Sequence, residues 1–77
     1  MQVTITLFGR LTDITGNSTI ALQDVADTDE LVQKLQQQYP GFKQAPYIIA
    51  VNKDIINVNT VLMPGCTVAL LPPYSGG

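Results

Sequence analysis

Pro64-Gly65-Cys66-Thr67-Val68-Ala69-Leu70-Leu71-Pro72-Pro73-Tyr74-Ser75-Gly76-Gly77 closes the chain and changes character along its length. Met63-Pro64-Gly65-Cys66 carries the proline and glycine of a turn. Thr67-Val68-Ala69-Leu70-Leu71 is apolar and partly β-branched, as a strand requires. Pro72-Pro73 fix φ and remove two backbone donors, so sheet pairing stops there. Residues 72–77 are expected to leave the body as an extended strap reaching roughly 20 Å. Gly76 and Gly77 finish it without side chains and with wide backbone freedom, so they fit a channel too narrow for other residues. The chain thus divides into a body, 1–71, and a tail, 72–77.

Upstream of that strand, Tyr47-Ile48-Ile49-Ala50-Val51 is continuously apolar and β-branched, which predicts a strand buried on both faces. Asn52-Lys53-Asp54 predicts a turn, because Asn and Asp tolerate left-handed backbone. Residues 55–58 predict a short edge strand. A helix is expected before these. Asp27 or Thr28 can cap it, and Asp27 with Glu30 has capping-box spacing. Asp29 and Glu30 complement the positive end of the helix dipole. Leu31, Val32, Leu35 and Tyr39 share one face, while Gln33, Lys34, Gln36 and Gln37 take the wet one. Pro40-Gly41 ends the helix. At the start of the chain, Val3, Ile5 and Leu7 alternate with Gln2, Thr4 and Thr6, the period of a half-buried strand. Ile20 and Leu22 repeat the pattern, so the two runs predict an antiparallel hairpin. Gly9 and residues 12–17 between them read as a loop. The fold class is α+β: two strands, a helix, then further strands.

A chain of 77 residues holds one small core. Cys66 is the single cysteine and histidine is absent, which excludes an internal disulfide and a Cys/His zinc site. No metal is expected. The apolar fraction of 45% suits a folded globule, and a charged fraction of only 13% suggests a surface partly covered by a partner. Arg10, Lys34, Lys43 and Lys53 lie far apart and the net charge is −2, so nucleic acid is not an expected partner. The N-terminal residues lack the pattern of a signal peptide, and the longest apolar runs are too short to span a bilayer. The expected location is the cytoplasm.

Most catalytic chemistry lacks its residues here. Without histidine there is no Ser-His or Cys-His pair. Gly9, Gly16, Gly41 and Gly65 stand singly in turns rather than in a phosphate-binding loop. The acids read as cap, loop and turn residues, and Cys66 has no activating neighbour in sequence. What remains is the tail. A glycine carboxylate is a poor electrophile until a partner adenylates it to a mixed anhydride. A sulfur nucleophile can then convert it to a thiocarboxylate, whose sulfur is anionic and nucleophilic at neutral pH. Such a protein is a cosubstrate, and its reacting group is Gly77. The plain alternative is that Gly76-Gly77 is a frayed end. The Pro-Pro strap, the small body and the element order argue for the chemical reading.

Phe8-Gly9-Arg10-Leu11-Thr12-Asp13-Ile14-Thr15-Gly16, Tyr39-Pro40-Gly41-Phe42, Ala50-Val51-Asn52 and the closing segment from Pro64 together resemble the ubiquitin-like sulfur carriers. Among these, Pro72-Pro73 before the glycines is most similar to the small subunits of molybdopterin synthase (MoaD). The resemblance covers the whole chain. Cys66 and Tyr74 depart from it, standing where the family has an acidic and a small aliphatic residue. The resemblance implies a β-grasp fold, a mixed sheet with central first and last strands and one main helix across one face. It also implies a sulfur carrier that is not an enzyme on its own and binds no cofactor. ATP would be used by an adenylating and sulfurating activating enzyme of the MoeB type, acting on Gly77. The large subunit of molybdopterin synthase would be the other partner, in a heterotetramer of two small and two large subunits. The product step would be sulfur transfer to cyclic pyranopterin phosphate. A carrier for thiazole formation (ThiS-like) or a ubiquitin-like protein modifier would share the same body. Phe8, Leu71, Pro72 and Pro73, continued by Tyr74, Ser75 and Gly76, are expected to meet the partner, although Phe8 alone reads equally well as core.

Overall fold

Alternation in the first residues produces the expected hairpin. In a computed structural model, which describes residues 2–73, β1 (Gln2–Leu7) pairs antiparallel with β2 (Thr19–Gln23). The remaining strands are β3 (Ile48–Val51), β4 (Asp54–Ile55) and β5 (Thr67–Leu71). They form one sheet in the order β2-β1-β5-β3-β4, with β1 and β5 parallel and the other pairs antiparallel. Two helices, α1 (Leu11–Thr15) and α2 (Thr28–Gln38), and a 3-10 turn (Pro40–Lys43) complete the body. This mixed sheet with one main helix is the ubiquitin-like β-grasp.

Register separates the two faces of the sheet. Val3, Ile5 and Leu7 stand beside Leu22, Ile20, Val68 and Leu70, and all are buried. They share one core with Leu11, Leu31, Leu35, Phe42 and Leu62, so the helices cover this face. Phe42 also lies edge-on to Tyr39 and Tyr47, at 6.4 and 5.7 Å between ring centroids. Burial holds the Tyr47 phenol above its ordinary pKa, opposed by a hydrogen bond with Gln36.

The start of α2 follows the cap reading and extends it. Asp27 is the N-cap, and the Glu30 N–H donates to its Oδ1 at 2.9 Å. The return arm differs from a standard box: Glu30 Oε1 accepts from the Ala26 N–H at 2.8 Å, one residue before the cap. A further clasp is absent from the local sequence signal. The Asp29 N–H donates to Asn59 Oδ1 at 2.9 Å, and Asn59 Nδ2 donates to Asp27 Oδ2 at 3.3 Å. Thr28, only 3% exposed, accepts from the Thr60 N–H at 2.9 Å, so a residue 32 positions away satisfies the buried hydroxyl.

Three expectations need correction. Residues 12–17 are not a plain loop, since α1 covers Leu11–Thr15, anchored by fully buried Leu11. Gly16, at φ 77°, closes it by donating its N–H to the Thr12 carbonyl at 2.8 Å. One turn of helix is too short to display a 3.6-residue period. Second, the strand begins at Ile48 rather than Tyr47, and Ile48 and Ile49 are only half-buried. Ile48, opposite Leu71, faces the side of the sheet that no described helix covers. Third, that neighbour is Asp54–Ile55 alone. After the Ile56 N–H bonds the Ile49 carbonyl at 3.0 Å, the chain turns inward, with Ile56 packed on the core.

Candidate functional site

Among the described residues, no helix covers the second face of the sheet. On β1 and β2 it presents Thr4, Thr6, Thr19 and Ala21, and on β5 and β3 it presents Ala69, Leu71, Ala50 and Ile48. Ala50 and Ala69 stand opposite each other. Their small side chains leave a groove of about 250 Å³, lined by Thr6, Phe8, Ala50, Lys53, Thr67, Val68 and Ala69.

Phe8 belongs to this face. Its N–H donates to the Leu70 carbonyl at 3.1 Å, which carries the β1–β5 register one residue beyond the strand. Because Leu7 faces the core, alternation turns Phe8 outward, where it is 46% exposed. The core reading of Phe8 is therefore wrong. An isolated exposed aromatic needs no explanation, but one lining an apolar groove has the geometry of an interface anchor.

The root of the tail lies against the same corner. Leu71 ends β5 half-buried, Pro72 is half-buried and Pro73 is exposed. Gly9, at φ 57°, follows Phe8, and a Cβ built on it would stand 2.8 Å from Pro72 Cγ. The turn after β1 and the first proline are thus in close contact, which places the root of the tail beside Phe8. Of the sequence-predicted partner residues, Phe8, Leu71, Pro72 and Pro73 are brought together here. Tyr74, Ser75, Gly76 and Gly77, the residue expected to react, lie outside the described residues. Thr6, Lys53, Thr67 and Ala69 of the groove were missed by sequence reasoning. Only the phase of each strand together with the β1–β5–β3 register shows that they meet.

The rest of the body offers little for catalysis. Among the described residues, no group of three or more His, Cys, Asp or Glu side chains is placed to hold a metal ion. No described helix is long and apolar enough to cross a membrane. Asp27 and Glu30 are occupied in the helix cap. A second depression, about 290 Å³, lies between α2 and residues 56–59, and its polar rim is the Asn59 clasp. Cys66 closes the turn before β5 by donating its N–H to the Met63 carbonyl at 3.1 Å, and its side chain packs half-buried on the core. It acts as a small apolar residue. If the chain carries sulfur as the resemblance implies, Cys66→Ser should keep sulfur transfer intact in a reconstituted assay and lower the thermal midpoint only slightly. Lost activity in a folded Cys66→Ser protein would move the sulfur chemistry onto this thiol.

Comparison with known proteins gives a consistent picture. The model of the ThiS family matches residues 5–77. A molybdopterin synthase sulfur carrier subunit of Mycobacterium tuberculosis is 33% identical over 82 aligned residues, covering 100% of this chain and 99% of that protein. The solved complex of subunits 1 and 2 of the molybdopterin-converting factor from Helicobacter pylori contains a chain 31% identical to this one. That likeness covers 100% of both chains with a TM-score of 0.74. SAMP1 from Haloferax volcanii superposes with a TM-score of 0.82 over 100% of both chains at 19% identity, a likeness of fold alone.

Proposed function

The chain belongs to the ThiS family, and we propose that it is the sulfur carrier subunit of a molybdopterin synthase. On this reading it delivers sulfur as a thiocarboxylate on Gly77. One observation carries the reading: the tail root at Pro72 is seated beside an exposed aromatic on an open apolar sheet face. That is what a carrier needs, because the same surface can dock on a partner while the tail enters its active site. Full-length similarity to the mycobacterial sulfur carrier subunit supports the pathway, and the Helicobacter pylori complex supports a large-subunit partner.

The body's role is positional. It binds no cofactor, and the catalytic groups belong to its partners. An activating enzyme joins the Gly77 carboxylate to the adenylyl group of ATP with loss of pyrophosphate. A sulfur nucleophile then displaces AMP, which leaves the thiocarboxylate. In the large subunit, that sulfur bonds to cyclic pyranopterin phosphate, and water then cleaves the acyl carbon–sulfur bond, which leaves the sulfur on the pterin and restores the Gly77 carboxylate. A glycine tail suits both visits, since it presents its carbonyl carbon without a side chain in the way.

The test is reconstitution of the chain with activating enzyme, ATP, a sulfur source, the large subunit and cyclic pyranopterin phosphate. Intact-mass spectrometry should show oxygen-to-sulfur exchange at the C-terminus, followed by molybdopterin formation. A chain that gains sulfur but supports no molybdopterin formation would be a carrier for another pathway. One that gains no sulfur and instead becomes joined to lysines would be a protein modifier.

A further inference from the structure

Lys53 occupies a position that chain geometry does not favour. The turn between β3 and β4 holds Asn52 at φ 50° and Lys53 at φ 72°, both left-handed. Turns of this shape select Asn followed by Gly, because glycine alone enters that region without a steric penalty. Asn52 has a local reason to be there: its N–H donates to the Thr67 carbonyl at 2.8 Å, and its Oδ1 accepts from the Thr67 N–H at 3.1 Å. Lys53 has no such reason. By contrast, Lys34 donates its ammonium to the carbonyls of Gln23 and Asp24, at 2.6 and 3.0 Å. Among the described residues no ion pair or hydrogen bond engages the Lys53 ammonium. A strained non-glycine residue without a structural partner points to a functional one.

Its surroundings indicate what that partner is. Lys53 lines the groove with Phe8 and is the only charged residue among the described lining residues. The neighbouring acid, Asp54, stands opposite Val51 and so belongs to the helix side of the sheet, whereas Ile55 stands opposite Ala50 on the open face. The open face therefore presents an apolar trough with one cation at its rim, on a chain whose net charge is −2. We infer that Lys53 is a specificity-determining residue that pairs with a carboxylate on the large synthase subunit, beside the surface that receives Phe8. This rests on the proposed function. A rim charge of this kind governs partner choice and association rate more than the final tightness of the complex. An acidic partner is drawn to the correct edge of the sheet, and one presenting a cation there is rejected.

Binding of the full-length chain to the purified large subunit of molybdopterin synthase from the same organism, measured across salt concentrations, tests the inference. Lys53→Glu should slow association by about tenfold at low ionic strength, and the deficit should shrink as salt screens the repulsion. Lys53→Met keeps most of the apolar stem and should show an intermediate loss. Lys53→Gly removes both the ammonium and the backbone strain, so it should fold at least as stably as the wild type while associating more slowly. If Lys53→Glu binds at the wild-type rate at every salt concentration, the inference is overturned and the carrier reading survives. If the wild-type chain fails to bind the large subunit, both fall.

Discussion

Removing Gly77 should abolish sulfur loading and product formation while leaving the stability of the body unchanged. On the proposed function the reacting atom is the carboxylate carbon of Gly77, which must reach groups in two different partner sites. A misplacement of about 1 Å at a reacting centre can lower the rate on the order of a hundredfold. Deleting the residue retracts the carboxylate by roughly 3.5 Å along an extended tail, well beyond that tolerance. Adding a residue after it would turn the carboxylate into a peptide carbonyl, which cannot be adenylated. Gly77→Ala keeps the carboxylate but adds a methyl group and narrows backbone freedom. The core is assembled from residues up to Leu70, so none of these changes should move the thermal midpoint. The three variants are to be incubated with the activating enzyme, ATP and a sulfur source, then compared with the native chain by intact mass. Product formation at the native rate by the chain lacking Gly77 would end the carrier hypothesis.

Phe8→Ala should weaken the complex with the large subunit by about 2 kcal/mol or more, roughly thirtyfold in Kd. The reasoning is geometric. Phe8 is turned away from the core by strand alternation, is 46% exposed and lines the open-face groove. Its truncation removes an aromatic anchor from the interface and little from the interior. Calorimetric titration against the large subunit should report the affinity loss. Thermal melting of the isolated chain should shift by no more than a few degrees, since surface changes alter stability by about 0.5 kcal/mol. A large fall in melting temperature with unchanged affinity would return Phe8 to a structural role and remove the docking face from the proposal.

Much of the body is legible residue by residue because its determinants are local. The period of two in 2–7 states which side chains are buried, and the structure buries Val3, Ile5 and Leu7. Asp27 and Glu30 announce the start of α2 through a hydrogen bond spanning three residues. Pro72 and Pro73 stop β5 at Leu71, because a residue without an N–H cannot extend a ladder wherever it sits. Each of these needs only neighbours in the chain, so the sequence alone determines them, as it does the chemistry open to a glycine carboxylate.

Tertiary structure decides what depends on distant partners. The residues themselves leave Phe8 open between core and surface, and the hydrogen bond to Leu70 resolves it, since that bond sets the register of β1 on β5. Asn59 reads as one more polar loop residue until the fold places it against Asp27 and Asp29. Lys53 reads as a turn residue. Only the pairing of β3 between β4 and β5 brings it to the groove that Phe8 lines. The resemblance implies that the first and last strands are central in a mixed sheet, but their parallel pairing is visible only in the tertiary structure. A strand's pattern says which face is apolar but not which strand lies beside it, because pairing free energy is gained only after the intervening chain has closed a long loop. The body's elements are therefore written locally, while the open face that Phe8 lines exists only once the first and last strands lie side by side.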